Sequence, residues 1–344
     1  MKKSLIGSDE LQQFYNNKFY FSYSGINKLL FSPSWFYNHY ILKEKEDSVD
    51  SHLVQGRVIH CLLLNPEDFD DEFIVIPGKM PGTSNRTIVD EIFKIHLESS
   101  DDSLTLDKYE ASILSLLATI NLHQKLKTDE ARVKKILIPD NISYFEFLKS
   151  SQGKTLLDNK TLSYCKDCVD SVKEDESIVQ LLQLDKKEED THLEVFNEVK
   201  VKIENKIYTD DKSFGFKGIL DNVIIDNDAK VLFINDVKTT GKPLVDFGES
   251  VEYFRYWLQA AIYYQLAFYK WIRDKEDSRE WKINFTFVVI DKYNQVYPFQ
   301  VSGDTMRNWL RNLRDDIIPT ITYHYDQKDF TLPYRTAVLF SRES

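Results

Sequence analysis

The stretch FKGILDNVIID (216–226), followed closely by VLFINDVKTT (231–240), decides the fold. Both runs are apolar and rich in β-branched and aromatic residues, and DNDA (226–229) lies between them as a turn signal. That pattern predicts two strands joined by a short connection. Just upstream, LEVFNEVKVKI (193–203) alternates at Val199, Val201 and Ile203, which predicts a third strand. Downstream come a long helix over 251–273, strands over INFTFVVID (283–291) and QVYPFQVS (295–302), a helix over 303–318 and a less regular tail. Helix, three strands, helix, strands is the order of an α/β sheet covered by a helix.

The N-terminal half reads differently. Residues 1–22 look irregular, and Ser24 is placed to cap a helix through Leu30. Ser32-Pro33-Ser34 reads as a stop and restart, and Glu44–Asp50 as a solvated charged stretch. LVQGRVIHCLLL (53–64) is an apolar helix ended by Asn65-Pro66. FIVIP (73–77) is strand-like, 78–85 is a loop, and 86–185 is mostly helical. The expected class is therefore α/β: a mixed central sheet flanked by helices, with a large helical N-terminal and middle region. The expected organisation is one integrated domain, with a helical region 1–190 that supplies the 53–66 helix, a core at 191–325 and a tail at 326–344.

Composition narrows the classes. Of 344 residues 42% are hydrophobic, and the 9 Pro and 11 Gly exclude a fibrous or low-complexity chain. The net charge of −11 argues against a general polycation but leaves room for a local basic groove. Three cysteines cannot build a disulfide framework. MKKSLIGSDELQQFYNNK lacks an apolar core, and no run approaches the ~18 apolar residues of a membrane span, so a cytoplasmic protein without a leader is expected.

Asp221 closes Gly218-Ile219-Leu220-Asp221, while Asp236 and Lys238 lie two apart on the next strand and share a face. If the strands pair through the turn, the two carboxylates converge at one end of the sheet. Converging carboxylates are hard oxygen ligands for Mg²⁺ or Mn²⁺. A neighbouring lysine can orient an attacking water, help deprotonate it, or stabilise phosphate charge. That is the minimum equipment for metal-assisted phosphodiester hydrolysis. A bare D-x-K is usually a solvated hairpin pair; here the flanking apolar runs demand partners for the charges. Gly56 and His60 lie one turn apart on the apolar helix, where the glycine permits close approach and the imidazole can reach a metal. Gln259 and Tyr263 are likewise spaced i, i+4 on one helix face. Taken singly, the histidine reads as a core residue and the Gln/Tyr pair as part of an amphipathic helix.

Together, in chain order, Gly56/His60, Gly218/Asp221, Asp236/Lys238 and Gln259/Tyr263 resemble the PD-(D/E)xK nuclease superfamily, specifically its RecB-like and RecE-like exonuclease branch. The flanks SGINKLL (24–30) with Ser32-Pro33, and GRVIHCLLLNP (56–66) with Phe69 and Phe73-Ile74-Val75, resemble the phage and prophage RecE-type group. The resemblance covers roughly 22–77 and 190–300. It implies a restriction-endonuclease-like core with His60, Asp221, Asp236 and the main-chain carbonyl of Val237 as ligands of Mg²⁺ or Mn²⁺. It implies Lys238 as the catalytic lysine, with Gln259 and Tyr263 placing the DNA and supporting the site. Glu198 resembles the further acidic position of the family, with Glu194 as the alternative. Asp236 stands where many members have Glu.

The resemblance further implies 5′→3′ resection of linear duplex DNA for recombination, a single-strand annealing partner, a ring-like homo-oligomer, and a bacterial cytoplasm with a phage or prophage source. Two alternatives stay open: a single-strand or flap-specific RecB-like nuclease, and a catalytically silent DNA-binding protein of the same fold. No P-loop is present, so the chain carries no helicase motor. Cys165 and Cys168, with Cys61 the one other cysteine, cannot hold a four-thiolate iron–sulfur cluster, and they read as small half-buried helix residues. Lys217, Lys238, Lys242 and Arg255 are expected around one end of the sheet, where they could meet phosphates.

Overall fold

The structure is a computed structural model that describes residues 19–42, 51–99, 101–185, 192–204, 214–332 and 334, the side chains of 51 and 52 excepted. The expectations for residues 1–18, for Glu44–Asp50 and for 335–344 lie outside them. The chain divides into two compact units, Met1–Asn65 with Asp167–Ser344, and Pro66–Lys166. No described helix is long and apolar enough to cross a membrane.

The strands in chain order are β1 (Phe19–Phe21), β2 (Phe73–Val75), β3 (Thr155–Leu157), β4 (Leu193–Glu204), β5 (Phe214–Asp226), β6 (Val231–Thr240), β7 (Lys282–Asp291) and β8 (Val296–Val301). The longer helices of the first unit are α1 (Tyr23–Phe31), α2 (Ser51–Leu64), α3 (Asn159–Glu174, which begins before the boundary), α4 (Glu176–Leu182), α5 (Phe247–Tyr253), α6 (Tyr256–Ala267), α7 (Gly303–Asn312) and α8 (Ile318–Gln327).

The second unit is mainly helical, around a core that includes Ile88, Ile92, Phe93, Ile113, Leu117 and Phe145. It also holds a short parallel pair, β2 with β3. β3 lies within the stretch read as helical; its three residues carry too little periodicity to announce a strand.

The first unit carries a mixed α/β sheet in the order β1-β5-β6-β7-β8, with β4 also beside β5. β5 is buried along most of both faces, which is why it reads as a continuous apolar run rather than an alternating one. The Asp226 carboxylate accepts from the Ala229 N–H at 2.8 Å and closes the turn into β6. β6 and β7 are parallel, so the chain must cross over between them, and α5 and α6 make that crossing. Leu258, Ala260, Ala261, Ile262, Leu266 and Ala267 of α6 are all buried.

The two edges of β5 differ, and that difference makes the site. β4 runs along one edge from Glu204↔Gly215 to Leu193↔Asp226. On the other edge β1 pairs with Phe214–Phe216 and β6 with Asn222–Asp226. Among the described residues, no strand pairs with 217–221 on that edge. Beyond Asn235, β6 follows β7 and leaves β5. The sheet therefore forks between Asp221 and Asp236.

Several sequence expectations are corrected. Residues 19–21 form β1 rather than an irregular lead-in, because Phe21 packs against Phe36, Phe214 and Tyr325 with ring centroids 5.3–5.8 Å apart. Phe214 and Tyr325 lie far along the chain and leave no local signal. Ser22, not Ser24, caps α1: its backbone is extended and its hydroxyl accepts from the Gly25 N–H at 3.2 Å. The long helix over 251–273 is broken at Phe254 and Arg255 and ends in a π turn at Phe268–Ile272. The helix expected to close at 318 continues through α8 to Gln327.

Three asparagines pin the sheet where the fork begins. Asn222 Nδ2 donates to Asn197 Oδ1 at 2.9 Å and to the Leu182 carbonyl at 3.0 Å. Asn235 Nδ2 donates to Asn222 Oδ1 at 2.8 Å and to the Leu181 carbonyl at 3.2 Å. Asn197 Nδ2 reaches the Leu64 carbonyl at 2.9 Å. The ladder thus joins β4, β5 and β6 and ties down the C-terminal carbonyls of α2 and α4. Asn222 and Asn235 are fully buried. Asn222→Ala would strand a carbonyl, an amide oxygen and an amide N–H, so urea unfolding should show a loss of about 3 kcal/mol.

Candidate active site

The fork leaves backbone groups without a ladder partner, and side chains take that place. Where β6 has left β5, the Val237 N–H donates to Asp221 Oδ2 at 2.8 Å. The Val237 carbonyl accepts from His60 Nε2 at 3.0 Å. His60 comes from α2, whose end is held to β4 through Asn197. With Nε2–H given to the carbonyl, His60 Nδ1 faces Asp221 Oδ1 at 3.7 Å and Glu198 Oε1 at 3.8 Å.

Asp236 is fully buried on the adjoining strand. One of its oxygens meets the Lys238 ammonium, and the other accepts from Gln259 Nε2 at 3.1 Å. Tyr263 is buried one turn further on α6, beside Gln259. Its ring packs over Gly218: a Cβ there would lie 2.8 Å from Tyr263 Cε1 and 2.8 Å from Leu266 Cδ1. Gly218→Ala should therefore cost about 1–3 kcal/mol in urea unfolding, because neither neighbour can retreat within a packed core. Gly56 is different. A Cβ there would meet just Thr239 Oγ1, at an ordinary 3.9 Å, so the close approach expected of this glycine is not needed.

Glu198 sits opposite Asp221, between the paired residues Asn197↔Asn222 and Val199↔Leu220. Its φ of +44° is unusual for a non-glycine residue inside a strand. That backbone costs roughly 1–2 kcal/mol. Strain of this kind persists where surrounding structure over-determines it. Glu194, the other acidic position, lies at the far end and accepts from Asn227 Nδ2 at 2.8 Å. Of the four basic residues expected near the sheet end, Lys238 pairs with Asp236. Lys242 pairs with Glu249, Arg255 donates to Asn27, and Lys217 lines a small aromatic cavity with Phe19, Phe21 and Phe36.

The charges do not balance. Burial raises the carboxyl pKa of Asp236 to about 6, with Asp221 adding to the rise and Lys238 opposing it. Burial also raises Asp221, against Lys238 and the Val237 N–H. Burial disfavours the Lys238 ammonium, but Asp236 and Asp221 outweigh it and hold the lysine above its ordinary value. Burial, then Lys238, keep His60 below its ordinary value, so it is neutral near pH 7. Asp221 and Asp236 thus face one ammonium. Buried carboxylates in excess of their partners call for a further cation.

Among the described residues, no three His, Cys, Asp or Glu side chains enclose a metal-sized space as they stand. The Lys238 ammonium lies on Asp236, and the His60 ring lies between Val237 and the two acids. The donors are nevertheless of the right kind: carboxylate oxygens, one main-chain carbonyl and a neutral imidazole suit Mg²⁺ or Mn²⁺. The cysteines lie elsewhere. Cys165 and Cys168 are fully buried on α3, either side of the boundary between the units, and Cys168 Sγ donates to Asn294 Oδ1 at 3.3 Å. Cys61 Sγ donates to the Asn65 carbonyl at 3.4 Å.

Sequence reasoning missed the asparagine ladder and the contacts of Tyr23, Asn27 and Tyr256. An asparagine beside each acid, in the middle of an apolar strand, was the available signal, since buried amides need partners.

No family model matches the chain. No curated protein matches it either. Among solved structures, a candidate exonuclease from Eubacterium rectale aligns over 96% of this chain and 88% of its own, with 11% identity and a TM-score of 0.45. A likeness at that level carries no argument about activity.

Proposed function

We propose that this chain is a Mg²⁺- or Mn²⁺-dependent deoxyribonuclease with a PD-(D/E)xK site of the RecE-like type. The observation that carries this reading is the pair of buried carboxylates, Asp221 and Asp236, that meet where β5 and β6 part, with the Lys238 ammonium on the second of them. Asp221, Asp236, His60 and the Val237 carbonyl would hold the cation, and Glu198 would add charge beside them. Bound there, a divalent cation would polarise the scissile phosphate and activate the attacking water.

The protein groups have separate tasks. Gln259 fixes the orientation of the Asp236 carboxylate, and Tyr263 packs beside Gln259 and over Gly218. His60, neutral and donating through Nε2, holds the Val237 carbonyl toward the fork. Lys238 is an ammonium, so it can donate to a phosphate oxygen and offset charge that develops there, but it cannot take a proton. Duplex ends as substrate, 5′→3′ polarity, an annealing partner, a ring-like assembly and a phage or prophage setting are supported by the motif resemblance rather than by the geometry.

Linear duplex DNA labelled at either 5′ or 3′ ends, with Mg²⁺, Mn²⁺ or EDTA, tests the reading. Metal-dependent release of 5′-terminal nucleotides is the expected result. Cleavage confined to single strands or flaps would favour the RecB-like alternative. Metal and DNA binding without cleavage of any substrate would favour a silent DNA-binding protein and overturn the proposal.

A further inference from the structure

Beside the fork lies an aromatic edge that the chemistry above does not use. α5 ends at Tyr253 and α6 begins at Tyr256, and between them Arg255 takes a φ of +55°, a left-handed backbone that a non-glycine residue adopts only under constraint. The constraint comes from α1. The Tyr23 hydroxyl donates to the Phe254 carbonyl, as does Asn27 Nδ2 at 3.3 Å, and the Arg255 guanidinium donates to Asn27 Oδ1 at 2.6 Å. The clamped corner holds Tyr253 and Phe254 out in solvent, 78% and 44% exposed.

These rings form a series that starts at the site. The Lys238 ammonium lies 5.3 Å from the Tyr256 ring centroid. Tyr256 stacks with Phe254 at 5.4 Å, and Phe254 meets Tyr253 edge-on at 4.9 Å. A rigidly presented row of aromatic faces, continuous with the lysine that would meet a phosphate and flanked by a guanidinium, matches the chemistry that binds unpaired nucleobases. A duplex, with its bases stacked on one another, offers such rings no free base faces except at its ends.

We propose that Tyr253 and Phe254 form a stacking platform for unpaired bases of a polynucleotide strand whose backbone enters the fork at Lys238. The proposal rests on the nuclease reading and adds a substrate subsite to it.

The test uses the full chain in EDTA and a short single-stranded oligodeoxynucleotide carrying one 2-aminopurine, whose fluorescence falls when the base stacks on an aromatic ring. The parent should quench the probe. Tyr253→Ser and Phe254→Ser should each weaken binding about tenfold, the size of one lost base–aromatic stack. Melting temperature reports whether the variants fold, and Mg²⁺-dependent cleavage by the parent tests the underlying reading separately. Unchanged affinity and quenching in both folded variants, with a cleaving parent, would overturn the platform and leave the nuclease site standing. A change in oligomeric state on gel filtration with unchanged affinity would also overturn it, by giving the rings to a second copy of the chain. A parent that neither cleaves nor binds DNA would remove both.

Discussion

Asp236→Asn should lower metal-dependent cleavage by about 1000-fold while leaving the metal-free protein no less stable than the parent. The first half follows from charge. An amide is a far poorer ligand than a carboxylate for a hard cation, and losing several kcal/mol of transition-state stabilisation corresponds to about three powers of ten in rate. The second half follows from burial. Asp236 is fully buried and its pKa is raised to about 6. Keeping it ionised near pH 7.5 therefore costs folding about 3 kcal/mol relative to an ordinary aspartate. Asparagine removes that cost, keeps the shape and can still accept from Gln259. That cost is already net of the Lys238 ion pair, which opposes the rise. Initial cleavage rates and thermal melts in EDTA check the two halves. Activity within tenfold of the parent would remove Asp236 from the chemistry, and a melt far below the parent would show that its charge is structural.

Divalent cation should raise the melting temperature by several degrees at pH 8 and by little at pH 5. Burial raises both carboxyl groups, Asp236 to about 6 and Asp221 in the same direction. A folded-state pKa above the unfolded value means that the metal-free protein holds protons to higher pH than the unfolded chain. The contribution of these groups to stability is therefore fully present below the ordinary carboxylate range and is lost as pH rises through about 6. A cation replaces those protons, so its effect grows over the interval in which theirs disappears. Melting curves with and without Mn²⁺ should coincide near pH 5 and diverge above 6. A cation at 100 times its dissociation constant contributes about 2.7 kcal/mol. At roughly 2–4 °C per kcal/mol, that is a shift of several degrees. The shift should vanish in Asp236→Asn. An equal shift at both pH values, or an undiminished one in the variant, would place the cation elsewhere.

The strands β4 to β8 were legible because their residues repeat a local pattern, and every one of them falls where alternation or an apolar run predicts it. Of the short strands, β2 was legible too, as FIVIP, but β1 and β3 were not. β1 exists because Phe19 and Phe21 pair beside Phe214 and Phe216 and pack among rings from distant parts of the chain. No window of local sequence contains those partners. The break between α5 and α6 was hidden for the same reason: YFRYW has no helix breaker, and the left-handed Arg255 is held by Tyr23 and Asn27, more than 200 residues away.

The site divides along the same line. Residue types and spacing singled out Asp221, Asp236 and Lys238, because charged groups amid apolar runs need a reason to be there, while His60, Gln259 and Tyr263 stood out through their order along the chain, which resembles the nuclease motifs. Spacing could not separate Glu198 from Glu194, since alternation puts both on β4; the register sets one opposite Asp221 and the other near the turn. Nor could it show that Gly218 makes room for Tyr263 while Gly56 makes room for nothing. Chain order set which residues resemble a nuclease site. The parting of β5 from β6, which leaves the Val237 peptide to be held by Asp221 and His60, decided where those residues meet, because hydrogen bonds left unmade by a forking sheet must be made by whatever side chains the tertiary fold brings there.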